Sequence, residues 1–326
     1  MTDPKSGNYK WFVLTILTVV YAFNFIDRQI LVILQEPIKA ELGLSDTQLG
    51  LLTGFSFAVV YVTAGIPIAW LADRSNRRNI VAASLGVWSV MTALSGMVQN
   101  YTQLLLARLG VGLGEAGGSP PSHSMLSDYF PEEQRGTALS IYTTGIYLGI
   151  FFGYFAGGWI ADTYGWRNAF FIVGIPGVVL AFLLLLLVRE PPRTVLPNTV
   201  ENEKASFKET IAFLLQRPAF WWIALGCSTA SFVGYGNGNF FPSLLIRNYG
   251  LTVTEVGMFM GVISGTTGML GTFLGGYLAD RWGKHDKRWY VRIALWGLVL
   301  SLPLSYYTLI ATAPLYVVLA YTPAHI

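Results

Sequence analysis

Charged residues are scarce in this sequence. Asp, Glu, Lys and Arg make up 12% of its 326 residues, whereas 53% are hydrophobic. Soluble domains carry about 25% charged residues, so the deficit excludes an ordinary soluble domain. Several apolar runs also reach the roughly 20 residues that a helix needs to cross a bilayer. The composition therefore predicts an integral membrane protein.

Cysteine and the common catalytic motifs are also missing. Cys227 is the single cysteine, which excludes an intrachain disulfide and any metal site built from several cysteines. The sequence has no phosphate-binding glycine loop, zinc-ligand spacing or catalytic triad. We therefore expect neither an enzyme nor an ATP-driven pump, and no cofactor or nucleic-acid partner. No cleavable signal peptide is expected, because the first apolar run is too long and lacks a small-residue cleavage site.

Ten apolar segments have helical or continuous periodicity rather than the alternation of a membrane β-barrel. The predicted spans are 11–34, 48–72, 79–98, 102–126, 136–160, 168–188, 220–246, 254–279, 290–310 and a last one that starts at Leu315. An even number of spans precedes the polar segment 189–219. Both halves of the chain should therefore start on the same side of the membrane.

Basic residues are strongly biased to one side of this arrangement. Sixteen of the 21 Lys and Arg residues lie in the first ten residues and in every second connecting segment. The alternate loops contain only Lys39, Arg167 and Arg247. Because cytoplasmic loops of membrane proteins are enriched in Lys and Arg, we expect a multi-pass protein with a cytoplasmic N-terminus.

The chain repeats itself at an offset of 207 residues. The segment 43–50 (GLSDTQLG) resembles 250–257 (GLTVTEVG), and 71–74 (LADR) is identical to 278–281. Two matches at one offset predict two parallel halves of six helices, related by a pseudo-two-fold axis along the membrane normal. Residue 326 then corresponds to residue 119. We therefore expect a second bundle that is incomplete and ends within the tenth helix.

The repeat divides the chain into three predicted parts. These are an N-terminal six-helix bundle (1–188), a cytoplasmic linker (189–219) and the first part of a C-terminal bundle (220–326). Prolines near the start of the linker forbid a continuous helix. The part 201–216 is either an amphipathic helix on the inner membrane surface or a solvated tether.

Two loops resemble the cytoplasmic loop signature of the major facilitator superfamily: 73–78 (DRSNRR) and 276–284 (GYLADRWGK). The resemblance implies an all-α membrane protein with the major facilitator fold. An aspartate at one helix end can cap another helix, and arginines can pair across the two halves to hold the inner mouth shut. The alternative is anchoring by positive charge alone. The candidate gate residues are Asp73, Arg74, Arg77, Arg78, Asp280 and Arg281.

The fourth span, with 108–118 (RLGVGLGEAGG), resembles the fourth-helix pattern of the same superfamily. Together with 24–28 (NFIDR), 119–130 (SPPSHSMLSDYF) and 134–140 (QRGTALS), it resembles the Spinster branch. That branch includes animal exporters of sphingosine phosphate and lysophospholipids, and bacterial relatives. The resemblance implies a secondary active transporter in the bacterial inner membrane. We expect alternating access with protons as the coupling ion, because buried acids in transporters are typical proton relays.

Four charged residues lie inside the first and fourth spans. Asp27 and Arg108 are at nearly equal depth, because each lies six or seven residues from the outer end of its span. Arg28 points about 100° away from Asp27, and Glu115 is its natural partner. We expect one network that includes Asn24, with Asp27 first and Glu115 second as proton acceptors. The alternatives are a static network that only orients helices and, for Asp27 and Arg28, a pair that snorkels to the headgroups.

The seventh span has no charge at the position 207 residues beyond Asp27, which is Gly234. Three alternating glycines and Pro242 predict a bent or broken helix that lines a cavity, or else close helix packing. The candidate cavity-lining residues are Tyr235, Asn237, Asn239 and Phe240. Charges on one wall and aromatic and amide groups on the other suit an amphipathic substrate.

The sequence therefore predicts a transporter of an amphipathic, anionic, lipid-like small molecule, coupled to protons. We expect a monomer whose other partners are membrane lipids. Two alternatives stay open. One is a lipid scramblase or sensor that needs no gradient, and the other is a proton-coupled transporter of a drug or an organic anion.

Overall fold

The computed structural model describes residues 7–193 and 207–324, and every regular element in these ranges is helical. The helices of the first half are α1 (Gly7–Ile33), α2 (Gln35–Leu42), α3 (Asp46–Gly50), α4 (Ser56–Ala72), α5 (Arg77–Ser95), α6 (Tyr101–Glu115), α7 (Ser119–Tyr129), α8 (Glu132–Tyr164) and α9 (Trp166–Leu187). A π-helical turn, Leu51–Phe55, joins α3 to α4. The three pieces form one continuous span, Asp46–Ala72.

The second half follows the same plan. Its helices are α11 (Pro218–Tyr249), α12 (Val253–Gly283), α13 (Trp289–Ile310) and α14 (Pro314–Ala324), and the linker before them contains α10 (Phe207–Leu215). Helix α10 lies within 201–216, the linker segment for which the sequence allowed either an amphipathic helix or a solvated tether. Residues 201–206 fall outside the described ranges. All the predicted spans coincide with helices, which confirms the all-α prediction.

Six segments are long and apolar enough to cross a membrane by length and composition. They are α1, Asp46–Ala72, α8, α9, α12 and α13. Within the described chain the helices of the other predicted spans do not reach this combination of length and apolar composition. α6, α7 and α14 are too short, and α5 and α11 are long enough but less apolar. The chain is nevertheless a multi-pass membrane protein on the six segments alone.

Two spans differ from their predicted shape. α11 runs unbroken through Gly234 and Pro242, so the prediction of a break in the seventh span was wrong. The fourth span is the one that breaks: α6 ends at Glu115 and α7 begins at Ser119. Pro120 stands at the start of α7, where a helix needs no backbone N–H and tolerates proline.

The repeated sequence has a repeated local structure. Gly43 and Gly250, 207 residues apart, each end a helix in the left-handed conformation with φ of 64°. Two residues later, Ser45 and Thr252 each begin the next helix with a reciprocal capping box. A left-handed glycine followed by a capping box fixes the turn between two helices. The offset of 207 therefore marks equivalent corners of the two halves.

Two apolar cores lie at opposite ends of the molecule. One joins both halves, with Ile38 of α2 packed in the same cluster as Phe241 of α11. The other contains first-half residues alone, such as Leu14. We call the first end the Arg247 side and the second the Asp73 side. The two halves are therefore packed together on the Arg247 side.

Glycine stripes bring α8 close to its neighbours on two faces. One stripe faces α1 and consists of Gly145, Gly149, Gly153 and Gly157. The other lies on α12 against α8 and consists of Gly257, Gly261 and Gly265. A Cβ atom at Gly149 would lie 2.5 Å from the Ala22 carbonyl oxygen. Because lipid tails are as apolar as side chains, membrane helices associate through such close backbone contact.

Candidate functional site

Two buried ion pairs connect the first and fourth spans. Arg108 Nη1 lies 3.0 Å from Asp27 Oδ2, and Arg28 Nε lies 2.6 Å from Glu115 Oε2. Both carboxylates are 1% exposed. Equal depth predicted the first pairing and direction around the helix predicted the second, and both contacts are present. The contacts exclude headgroup snorkelling for Asp27 and Arg28, because both partners are protein groups inside the bundle.

Helix geometry explains why two separate ion pairs form between α1 and α6. Arg108 and Glu115 are seven residues apart on α6, which is close to two turns, so they share one face. Asp27 and Arg28 are adjacent on α1 and point in directions about 100° apart. α6 ends at Glu115. Each acid is therefore matched by a base on the opposite helix, and the four charges cancel.

One further polar group contacts the ion pairs, whereas Asn24, which was predicted to join the network, has no hydrogen bond to them among the described residues. The Thr92 hydroxyl of α5 contacts Asp27 Oδ1, and sequence spacing did not predict this contact. Asn24 is 3% exposed, and its Oδ1 has no hydrogen-bond partner among the described residues. The same holds for Arg108 Nε and Glu115 Oε1. The network thus contains buried donors and acceptors that are available for a proton or a polar ligand.

A cavity of about 380 Å³ lies beside the two ion pairs. Its lining residues are Phe25, Arg28, Gln29, Leu31, Val32, Thr53, Phe57, Arg108, Tyr147, Ile150, Tyr154, Ser231, Gly234, Tyr235, Gly238, Asn239, Met260, Ser264, Gly268 and Tyr321. Both arginines belong to this lining, whereas Asp27 and Glu115 do not. The charged part of the wall is therefore cationic, with the carboxylates behind it.

The candidate residues of the seventh span divide between two cavities. Tyr235 and Asn239 line the central cavity. Asn237 and Phe240 line a separate cavity of about 290 Å³ that also contacts Arg247. The separation follows from the unbroken α11 helix, because residues two apart point in directions about 200° apart.

Asn239 also connects the two halves. Its backbone carbonyl oxygen accepts a 2.6 Å hydrogen bond from Gln35 Nε2, and its side-chain Nδ2 donates to the Thr53 carbonyl oxygen at 3.3 Å. Thr53 lies in the π-helical turn, whose altered hydrogen bonding frequently marks functional sites. These bonds close the end of the cavity that faces the Arg247 side.

Arg247 makes ion pairs between the halves. Its guanidinium binds both oxygens of Asp46, at 2.6 and 3.0 Å. It also lies 2.8 Å from Glu36, and Lys39 lies 2.7 Å from Asp46. The sequence indicates this cluster in one way. The loops on this side contain few charged residues, and those present include both signs. Since the two acids belong to the first half and Arg247 to the second, the cluster fastens the Arg247 side.

A second cluster on the same side lies within the first half. Glu41 accepts a 2.6 Å hydrogen bond from Trp166 Nε1 and contacts Arg167. The Trp166 hydrogen bond, followed by those of Arg167, lowers the pKa of Glu41 below its usual value. This cluster holds α2 against α9.

The Asp73 side has no equivalent connection between the halves in the part of the chain that is described. Arg77 binds Asp128 at 2.5 Å and Glu190 at 2.7 Å. The backbone carbonyl oxygen of Asp73 accepts a hydrogen bond from Arg193 at the start of the linker. All of these partners belong to the first half or its linker.

The remaining candidate gate residues also contact their own half. Arg74 lies over the Trp70 ring at 4.0 Å. Asp280 accepts a 3.1 Å hydrogen bond from the Tyr290 phenol. Arg281 donates at 3.2 Å to the phenol of the tyrosine four residues before it. In this conformation none of the contacts of the predicted gate residues within the described ranges crosses between the halves.

The start of α5 is capped by groups other than Asp73. Asn76 Oδ1 accepts a hydrogen bond from the Asn79 backbone N–H at 3.0 Å. Glu190 Oε2 accepts one from the backbone N–H of Arg78 at 2.9 Å. The expectation that an aspartate of this loop caps the helix was therefore wrong for Asp73. A linker residue, Glu190, takes part in the cap.

No group of three or more His, Cys, Asp or Glu side chains in the described ranges is placed to hold a metal ion. Two guanidinium groups face the cavity, two carboxylates neutralise them from behind, and hydroxyl and amide groups line the opposite wall. Such a site can exchange a proton and bind an anion.

Residues 17–323 match the sequence model of the Major Facilitator Superfamily. The structure is similar to a crystal structure of a bacterial homolog of the human lysosomal transporter Spinster, in an inward-facing and unoccupied conformation. The TM-score is 0.86 with 33% identity, over 98% of this chain and 73% of that one.

Two relatives of this chain are named as transporters of different kinds. An MFS-type efflux pump of Mycolicibacterium smegmatis is 36% identical over 304 residues, which cover 93% of this chain and 70% of the relative. A probable galactarate/D-glucarate transporter of Bacillus subtilis is 27% identical, over 85% of this chain and 66% of the relative.

Proposed function

The chain belongs to the major facilitator superfamily, and we propose that it is a proton-coupled secondary transporter of an anionic, amphipathic, lipid-like substrate. It is a Spinster-like membrane transporter rather than an enzyme. The substrate class, the coupling to protons and the cytoplasmic position of the Asp73 side are parts of the proposal.

The observation that carries the proposal is the position of the two arginines. Arg28 and Arg108 line the cavity while Glu115 and Asp27, their partners, lie outside the lining. An anion in the cavity would therefore meet the guanidinium groups directly. A cation would find no carboxylate on the wall. This arrangement favours an anionic head group over a cationic drug.

Proton binding and anion binding assist each other in this arrangement. A proton that binds Asp27 neutralises the carboxylate and leaves Arg108 as an unpaired buried cation. Losing one partner of a buried ion pair costs about 3–5 kcal/mol, and an incoming anion restores the pairing. By linkage, a bound proton then raises the affinity for the anion by the same factor as a bound anion raises the affinity for the proton. The same exchange is available to Arg28 and Glu115.

The apolar part of the cavity suits the other end of an amphipathic substrate. Leu31, Val32, Ile150 and Met260 line it beside the arginines. In the proposed cycle the substrate enters from the Asp73 side, where the halves are apart. Release follows when the contacts of Arg247 break and the gate residues of the Asp73 side pair across the halves.

A specific observation favours a second candidate, a proton-coupled transporter of a hydrophilic organic anion. The cavity of about 380 Å³ is near the lower end of the roughly 300–1,000 Å³ range of small-molecule sites. That volume holds a small dianion without any contribution from lipid-facing grooves. The relative from Bacillus subtilis is named for such anions, galactarate and D-glucarate.

Flux in proteoliposomes tests the proposal. The protein is reconstituted, and uptake of labelled lysophosphatidylglycerol and labelled D-glucarate is measured with and without a proton gradient. The proposal predicts lysophosphatidylglycerol flux that rises with the gradient and returns to the protein-free level with a protonophore. Gradient-driven D-glucarate flux alone would support the second candidate. Lipid flux that ignores the gradient would mean a scramblase and would contradict proton coupling.

A further inference from the structure

One aromatic ring lies against both arginines of the cavity. The Phe57 ring centroid is 4.9 Å from Arg28 Cζ and 5.8 Å from Arg108 Cζ. Both distances are within the range of about 6 Å over which a ring face attracts a cation. Phe57 lines the cavity together with the two arginines. The two ion pairs therefore share an aromatic neighbour.

The local structure holds Phe57 in this position. The π-helical turn Leu51–Phe55 ends two residues before it, and the ring stacks on Tyr61 one turn later at 5.6 Å. On the opposite side a Cβ atom at Gly112 would come within 3.4 Å of the Phe57 ring. The glycine therefore lets α4 approach α6, which brings the ring close to both arginines.

A ring face interacts differently with a paired and an unpaired arginine. When the carboxylate is ionised, its charge cancels most of the field that the guanidinium exerts on the ring. When the carboxylate takes up a proton, the guanidinium is left as a free cation in a poorly hydrated site, where cation–π attraction is strongest. This attraction favours the proton-loaded state.

We propose that Phe57 is a positioning residue that stabilises Arg28 and Arg108 when their carboxylates are protonated, and so couples the two ion pairs in one proton-loaded state. The inference rests on the proposed function, since it concerns the state that binds the anion. Arg28 has two further rings, Phe25 at 5.1 Å and Tyr61 at 5.2 Å. Phe57 is the ring that it shares with Arg108.

Few other ionisable groups lie near these arginines. Apart from the four charged residues, the groups with electrostatic influence on Arg28 are the phenols of Tyr61 and Tyr235, and Arg28 in turn influences the phenol of Tyr21. The carboxyl groups paired with the two arginines are those of Asp27 and Glu115. A phenol has no carboxyl C=O band, so an infrared carboxyl band distinguishes the two acids from the tyrosines.

Infrared titration of the reconstituted protein tests the role of Phe57 without a transported substrate. The band of the protonated carboxyl group is followed against pH and assigned by its loss in Asp27→Asn or Glu115→Gln. Phe57 is replaced by 3,4,5-trifluorophenylalanine, which keeps the size of the ring and weakens its face, and by leucine. The matched control is Phe55→Leu, because Phe55 is an exposed neighbour on the same span.

A cation–π contact of ordinary strength corresponds to about half a pH unit or more. At the pH where half of the wild-type carboxyl is protonated, about one quarter or less should be protonated in both Phe57 variants, and about half in Phe55→Leu. An unchanged titration with the fluorinated ring, or an equal loss in Phe55→Leu, would overturn the role of Phe57 alone. Absence of any band from either acid in the wild type would overturn the proposed proton coupling itself.

Discussion

At the scale of single residues, the site depends on keeping four charges in a membrane interior at a tolerable cost. Asp27 and Arg108 are both nearly inaccessible, at 1% and 2% exposure. A charge on either residue alone would be unfavourable, since an isolated charge at that depth costs at least about 2.5–3.5 kcal/mol. Pairing across α1 and α6 makes both charges stable. The same pairing makes the loss of either partner expensive.

This cost leads to a prediction about stability. Arg108→Met should lower the free energy of unfolding at pH 7 by about 3–5 kcal/mol, because it leaves a buried carboxylate without its partner. Asp27→Leu together with Arg108→Met should lower it by at least about 1 kcal/mol less than the sum of the single changes. Chemical denaturation in detergent measures both. Strict additivity of the two single losses would contradict the pairing.

The sequence predicted the ion pairs but not all of their neighbours. Depth within a span follows from counting residues, so the pairing of Asp27 with Arg108 could be predicted. Rotation of a helix about its axis does not follow from counting, and Thr92 on α5 was therefore missed. Asn237 was predicted to line the same cavity as Asn239, and the structure places it in another cavity. The unbroken helix turns them apart.

At the scale of secondary structure elements, α8 holds the molecule together. Its glycine stripe packs on α1 within the first half, and its other face packs on the glycine stripe of α12 in the second half. The first contact is part of a rigid bundle, whereas the second must permit the halves to move. The spacing of four residues in Gly145, Gly149, Gly153 and Gly157 was a signal in the sequence. It predicts close packing but not the partner helix.

The stripe on α8 gives a second prediction. Gly149→Ala should destabilise the protein by about 1–3 kcal/mol, because a Cβ atom there meets the Ala22 carbonyl oxygen at 2.5 Å and a tightly packed site does not relax. The matched control is Gly65→Ala on α4, where nothing lies within 4 Å. Thermal unfolding in detergent should show a lower midpoint for the first variant and an unchanged or higher one for the control. Equal behaviour of the two variants would mean that close packing does not hold α8 to α1.

At the scale of the whole molecule, the two halves are joined at one end. The Arg247 side has a shared apolar core and the contacts of Arg247 with Asp46 and Glu36. The candidate gate residues of the Asp73 side bind within their own half. The repeat in the sequence could predict the two halves and their symmetry. It could not predict which end is closed, because both conformations of a transporter use one sequence.

Removing Arg247 should shift the balance between the two conformations. Exposed ion pairs contribute about 0.2–1 kcal/mol each, so losing two of them should raise the population that is open on the Arg247 side about two-fold or more. Cys227 on α11 is the single cysteine and is exposed. With Ser75→Cys it gives one spin-label pair across the Asp73 side. The Arg247→Ala variant should show a larger short-distance population.

Arg167→Ala serves as the control for that measurement, because Arg167 binds Glu41 within the first half. It should leave the distance distribution unchanged. The role assigned to Arg247 would be wrong if both variants gave the wild-type distribution, or if both shifted it equally.

The central proposal is that a proton on Asp27 releases Arg108 for an anion. The most direct test is gradient-driven uptake by Asp27→Asn in proteoliposomes, with the substrate that gives the larger flux in the wild type. The control is Glu133→Gln, an exposed acid at the start of α8. We predict that the control retains gradient-driven uptake, whereas uptake by Asp27→Asn no longer responds to the gradient. Uptake by Asp27→Asn that still follows the proton gradient would contradict the proposal.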